Sequence, residues 1–215
     1  MSHKDDKFME ENYDREAEAT AWYGPEVVFG LACKFIEPGQ SLLDIGIGTG
    51  LGSSLFHKYG LKVYGLDLSQ EMLEVCRSKG FTTKLLQHDL TVFPYPFEGN
   101  SLDHAVCVGV FNFFQDLKPV FREVERIIQP DGIFAFIVGD VAPGEPTEFT
   151  VGPEHTGTDS YITMYRHGYN QINTWLRESG FRLARNLEFI IFMDREKNKR
   201  MRAMAYLAVK NNNGI

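Results

Sequence analysis

The chain is predicted to adopt an α/β fold, a doubly wound and mainly parallel sheet closed by a C-terminal antiparallel hairpin. Three observations carry this. Strand-like and helix-like stretches alternate from Ser41 onward. An apolar strand, Ser41 to Ile45, runs directly into closely spaced glycines at Gly46, Gly48 and Gly50. Ile133 to Gly139 is apolar without alternation, as in a strand covered on both faces.

The elements follow in order. Residues about 12 to 22 and 25 to 36 read as helices, the second opened by Gly24 and Pro25 and closed by Pro38 and Gly39. After the glycine loop, Leu51 to Tyr59 returns to helical character and Gly60 ends it. Lys62 to Leu66 forms the next strand and runs into Asp67; Ser69 then caps a helix with Met72 and Leu73 facing inward. Phe81 to Gln87 gives a third strand leading to His88 and Asp89, and Asp103 to Val108 a fourth. A helix over about 117 to 128 stops at the turn Pro130, Asp131, Gly132 before the fifth strand. Residues 140 to 165 lack periodicity and contain Pro143, Gly144, Pro146, Gly152, Pro153 and Gly157, the pattern of a lid insert. A helix over His167 to Ser179, ended by Gly180, precedes two long strands, Phe181 to Asp194 and Met201 to Lys210, joined by a charged turn at Arg195 to Arg200. The last residues, Asn211 to Ile215, read as a frayed end.

At 215 residues the expectation is one domain, with residues 1–38 as an N-terminal helical cap. A net charge of −7 from 22 basic and 29 acidic residues lacks the footprint of a nucleic-acid binder, so no nucleic-acid partner is expected. No apolar run nears the roughly 20 residues of a membrane helix, and Met1 to Glu11 is charged, unlike a signal peptide. No membrane association and a cytoplasmic location are therefore expected. Cys33, Cys76 and Cys107 are widely spaced and odd in number, arguing against disulfides or a zinc site, and no metal is expected.

The chemistry concentrates at strand ends. Gly46, Gly48 and Gly50 permit positive φ and close approach of a ligand to bare backbone, as in nucleotide-type sites. Asp67 ends the second strand, where a carboxylate accepts hydrogen bonds from ribose hydroxyls; Asp89 follows the third and suits an adenine amino group. Leu68, Met72, Leu90 and Val110 are available to enclose the ring. Each acid alone also fits a solvated strand end or a cap, but three at successive strand ends share one ligand edge. The glycine register is GxGxG rather than GxGxxG, because Leu51 and Ser53 fall where the third glycine belongs. Asp44 beside the loop would repel a pyrophosphate and attract a sulfonium and an ammonium, which favours S-adenosyl-L-methionine over NAD.

On these residues the chain resembles the class I S-adenosylmethionine-dependent methyltransferases of the small-molecule type, from about Tyr13 to Lys210. Leu42 to Gly50 resembles the family's first motif, Val63 to Leu73 its second, and His88, Asp89, Leu90 its third. Ser101, Leu102, Asp103 resemble the loop before its fourth strand, and Ile127 to Gly132 the turn into its fifth. Val108, Gly109, Val110 and Phe111 take the place that faces the methionine part of the cofactor. The resemblance implies a Rossmann-like seven-stranded sheet, ribose contact by Asp67, an adenine contact by Asp89, and methyl transfer to a small-molecule acceptor. The Asn-Pro-Pro-Tyr run of DNA amino methyltransferases is absent after the fourth strand. Tyr165, Arg166, His167 and Tyr169 resemble a subset whose lid helix begins with a histidine. Should the acceptor need to lose a proton, the candidates are His167 and Tyr165, Asn112 after the fourth strand, and Tyr13, Trp22 and Tyr23. A histidine that only caps or is solvated at the helix start is an equal reading of His167. A noncatalytic S-adenosylmethionine sensor or scaffold, and an NAD-dependent oxidoreductase, remain alternatives at this point. The oligomeric state is open.

Overall fold

The computed structural model describes residues 13–15, 17–142, 144–152, 161–194 and 199–212. The expectations for Met1 to Glu11, for the turn at 195–198, for the middle of the lid, and for the last three residues lie outside the described residues.

A helical stretch at residues 13–15 and 17–19 precedes α1 (Gly24–Ala32), with Pro25 in its first turn. The rest of the chain runs β1 (Ser41–Ile45), α2 (Leu51–Tyr59), β2 (Lys62–Asp67), α3 (Gln70–Ser78), β3 (Thr82–Gln87) and β4 (His104–Cys107). A 3-10 turn (Phe111–Phe113) leads to α4 (Lys118–Ile127) and β5 (Ile133–Gly139). β6 (Glu148–Val151), β7 (Ile162–Tyr165), α5 (Tyr169–Glu178), β8 (Phe181–Asp194) and β9 (Lys199–Lys210) complete it. The main sheet has seven strands in the order β3-β2-β1-β4-β5-β9-β8. β1 to β5 pair in parallel, whereas β9 runs antiparallel to both β5 and β8. This is the doubly wound, seven-stranded sheet with an antiparallel C-terminal hairpin that the sequence predicts.

Period-2 alternation explains how one sheet serves two cores. From β5, Ile133, Ala135 and Ile137 face a layer holding Val28 and Ala32 of α1, Phe56 of α2 and Leu73 of α3. Phe134, Phe136 and Val138 face Phe121 and Val124 of α4 and Ile172, Trp175 and Leu176 of α5. Every residue of β5 is therefore buried, as its unbroken apolar run foretells. The Ser69 cap is also as expected, its hydroxyl accepting from the Met72 N–H at 3.1 Å.

Two element readings are corrected. α1 stops at Ala32 rather than near residue 36, because Phe35 N–H turns back onto the Ala32 carbonyl at 2.8 Å. The insert 140–165 is not free of regular structure: β6 and β7 pair antiparallel as a separate two-stranded sheet, Glu148 opposite Tyr165 and Val151 opposite Ile162. Strands of four residues are too short to register as periodicity among so many prolines and glycines.

The strand order reverses between β1 and β4, and in an open α/β sheet ligands bind outside the carboxyl ends of the strands at that point. The glycine loop leaves β1 there, and Gly109 leaves β4 beside it.

Candidate functional site

The loop after β1 is shaped by its glycines. Gly46, Gly48 and Gly50 have φ of +71°, +52° and +91°, in the left-handed region where a side chain is strained. A Cβ on Gly46 would lie 2.4 Å from Val110 Cγ2, and one on Gly50 would lie 2.5 Å from Phe81 Cζ. Gly48 differs, because a Cβ there would meet nothing within 4 Å. Two glycines let the loop pack against the protein, and the middle one presents bare backbone to open space.

Asp67, at the end of β2, is tied to this loop. Its Oδ2 accepts from the Gly48 N–H at 2.7 Å and its Oδ1 from the Ser69 N–H at 2.9 Å. Each oxygen retains a second lone pair, so the carboxylate is oriented without being used up. The loop end is fastened from above: Thr49 Oγ1 donates to Asp14 Oδ1 at 2.5 Å, and Asp14 also forms an ion pair with Lys79. Tyr13 lies on the same helical stretch. Burial, then the charges of Asp14 and Asp67, raise its hydroxyl pKa.

Asp44 sits behind the loop, 1% exposed. Its Oδ2 and the nearby Ser53 Oγ are both buried without a hydrogen-bond partner. Burial pushes the Asp44 carboxyl up to about 7, the Ser53 hydroxyl opposes this, and the charge of Asp67 adds to it. An unpartnered carboxylate held here would be relieved by a cation placed over the loop.

The other expected residues are distributed as follows. Leu68 is 64% exposed at the end of β2, and Met72 is half-buried in the first turn of α3. Asp89 lies two residues beyond the end of β3 and is exposed; its Oδ1 accepts from the Thr91 N–H at 2.8 Å and the Thr91 hydroxyl at 2.7 Å, bonds that lower its pKa. Leu90 is buried in the core, its carbonyl accepting from the Tyr95 hydroxyl at 3.0 Å. Gly109 has φ +83°, and a Cβ there would stand 3.7 Å from the Trp22 ring. Trp22 thus spans the end of β4 and, through Gly24 and Ile137, the flank of β5.

His167, a candidate base, is buried in this structure. It is 1% exposed, stacked edge-on to Trp175 with ring centroids 5.7 Å apart, with Nε2 3.4 Å from the Phe111 carbonyl. Burial lowers its pKa against the opposing pull of the Phe111 and Phe114 carbonyls. A neutral imidazole in this setting ties α5 to the 3-10 turn and offers no surface to an acceptor. Helix-start position in a sequence does not distinguish these two environments.

Sequence reasoning did not single out Asp14, Phe81 or the environment of Arg166. Only distance across the fold joins the first two to the loop, and no local spacing signals it. Among the described residues no group of three or more His, Cys, Asp or Glu could hold a metal ion, and no helix is long and apolar enough to cross a membrane.

Comparison with known proteins agrees with this geometry. Residues 43–136 match the family model described as methyltransferase domain. The chain is 34% identical over 109 residues to the uncharacterized methyltransferase YcgJ of Bacillus subtilis, the match covering 49% of this chain and 42% of that protein. It is 32% identical over 99 residues to the malonyl-[acyl-carrier protein] O-methyltransferase of Serratia marcescens, covering 46% and 38%. The matches thus span about two fifths of these curated relatives. A crystal structure of a SAM-dependent methyltransferase from Methanosarcina mazei superposes with a TM-score of 0.70 at 15% identity, covering 84% of this chain and 97% of that one, a likeness of fold. The chain thus carries a match to a methyltransferase-domain model over residues 43–136, on a fold like that of solved S-adenosylmethionine-dependent methyltransferases.

Proposed function

We propose that the chain binds S-adenosylmethionine across Gly46, Gly48 and Gly50 and transfers its methyl group to a small-molecule acceptor at the ends of β4 and β5. The observation that carries this reading is the loop itself: three left-handed glycines, open space at Gly48, and Asp67 bonded to the Gly48 N–H. In this reading Asp67 takes the ribose hydroxyls, Leu68 and Met72 lie against the adenine, and Asp89 and Leu90 border its edge. Gly109 leaves room for the methionine part, and the buried charge of Asp44 favours its cationic end.

Methyl transfer from a sulfonium is an in-line displacement. A lone pair on the acceptor forms the bond to the methyl carbon as the C–S bond breaks; its electrons pass to sulfur, leaving neutral S-adenosylhomocysteine. If the acceptor atom carries a proton, that proton leaves to water. The leaving group is good, so the protein's work is alignment and exclusion of water. The N-terminal helical cap, through Trp22, and the β6-β7 pair supply that cover. The test is incubation of the full chain with S-adenosylmethionine labelled in its methyl group and a small-molecule extract fraction. Label should move into a low-molecular-weight product, and more slowly with Asp67→Ala. Binding of cofactor with no transfer to any fraction would contradict the proposal.

A further inference from the structure

At the end of β5, Arg166 is held in place without being paired. It follows β7, bridges to Gly139, and its N–H donates to the Thr147 carbonyl at 2.7 Å. A Cβ on Gly139 would stand at ordinary contact distance, 3.4 Å from Arg166 Cγ and 3.6 Å from Met201 Sδ, so the Arg166 stem lies along the Gly139 backbone. The guanidinium lies over the Phe149 ring of β6, 4.5 Å from its centroid. Its Nε is buried with no hydrogen-bond partner, and among the described residues it forms no ion pair within 4.0 Å.

Its neighbour Arg202 makes the contrast. Arg202 reaches Glu145 at 3.2 Å and Asp140 at 3.8 Å; the charge of Arg166 also acts on Glu145, after that of Arg202, but among the described residues no ion pair closes between Arg166 and either carboxylate. A buried, charged N–H without an acceptor is costly, and an arginine fork is matched best by a planar carboxylate that takes two parallel hydrogen bonds. The position is also right. A Cβ on Gly109 at the end of β4 would stand 3.7 Å from the Trp22 ring, Trp22 and Ile137 both flank Gly24, and Ile137 is two residues before Gly139 on β5. A continuous set of neighbours therefore leads from the glycine-loop side to Arg166.

Resting on the methyltransferase reading, we propose that Arg166 anchors a carboxylate on the acceptor, so that the substrate class is small organic acids. Glu145 and Asp140 already supply two negative charges to this corner, which favours a monoanion over a phosphate dianion. Phe149 fixes the guanidinium plane, and the rest of the acid extends toward the end of β4.

The test titrates acetate, malonate, benzoate and phenylacetate, the corresponding amides, and phenyl phosphate into the full chain saturated with S-adenosylhomocysteine, read by calorimetry. At least one acid should bind saturably and at least tenfold more tightly than its amide. Arg166→Gln should remove that preference with S-adenosylhomocysteine affinity unchanged, and Arg166→Lys, which keeps the charge but not the fork, should recover part of it. If no acid outbinds its amide, if phenyl phosphate alone binds, or if Arg166→Gln keeps the preference, the proposal is overturned. Failure of the wild-type chain to bind S-adenosylhomocysteine would overturn the methyltransferase reading instead. An arginine that only props the β6-β7 hairpin would shift the melting temperature and leave the acid-to-amide ratio where it was.

Discussion

The two sides of the strand-order switch point are built differently. At the ends of β1 and β2 the surface is mostly backbone: three glycines, and an aspartate bonded to a loop N–H. At the ends of β4 and β5 it is assembled from side chains far apart in sequence, with Trp22, Phe149, Arg166 and Met201 gathered around Gly109 and Gly139. A backbone site is fixed by conformation and tolerates little change. A side-chain site can be rebuilt while the sheet beneath it stays the same, which is how one fold takes many acceptors.

The largest expected effect is on the backbone side. Gly46→Ala places a methyl group against Val110 at a left-handed φ and should lower unfolding free energy by about 2 to 5 kcal/mol in urea titrations. Loss of less than about 1 kcal/mol would mean that the loop is plastic and the contrast false.

Next comes the buried acid. The Asp44 carboxyl is raised from 3.8 to about 7, so its folded form prefers the proton, and the stability it confers at low pH is lost as pH rises through about 7. Asp44→Asn should therefore stabilise the chain at pH 8, by about 4 kcal/mol at most, while weakening S-adenosylmethionine more than S-adenosylhomocysteine, which keeps the ammonium but lacks the sulfonium charge. His104, at the opposite end of β4, works with the reverse sign. Burial lowers it to about 4 against the opposing charge of Asp103; its Nδ1 accepts from the Ile133 N–H and its Nε2 faces Gln40 Oε1. It costs stability as pH falls from 6.5 toward 4. Thermal melts of His104→Gln should lose this acid limb, and an unchanged limb would contradict the assignment.

Smaller effects belong to the side-chain half. His167→Asn removes a ring packed on Trp175 and should cost about 1 to 3 kcal/mol of stability with S-adenosylhomocysteine affinity unaltered. A change in cofactor affinity would place His167 in the cofactor half after all. The smallest stability effect returns to the backbone half, with Gly48→Ala. The strained φ costs about 1 to 2 kcal/mol, yet the new methyl group occupies the open space and should weaken cofactor binding more than it weakens the fold.

The same contrast explains what was legible in the sequence. The succession of strands and helices, the helix cap at Ser69 and the glycine loop arise from local patterns: alternation, a capping hydroxyl, closely spaced glycines before a helix. Asp67 was legible because its place at a strand end fixes where it stands. The β6-β7 hairpin was not, since strands of four residues carry too few alternations to stand out. Nor was the burial of His167, because a helix start says nothing of what packs over it. Arg166 was visible as a residue but not as an unpaired one, because pairing depends on Arg202 capturing Glu145 and Asp140 across the fold.

The central claim, that the glycine loop and Asp67 together hold the cofactor, is tested most directly by calorimetry of S-adenosylmethionine and S-adenosylhomocysteine with the wild-type chain and with Asp67→Ala. The account predicts saturable binding of both to the wild type and a loss of about 1 to 3 kcal/mol on removing the carboxylate. Equal affinities for wild type and variant would contradict it.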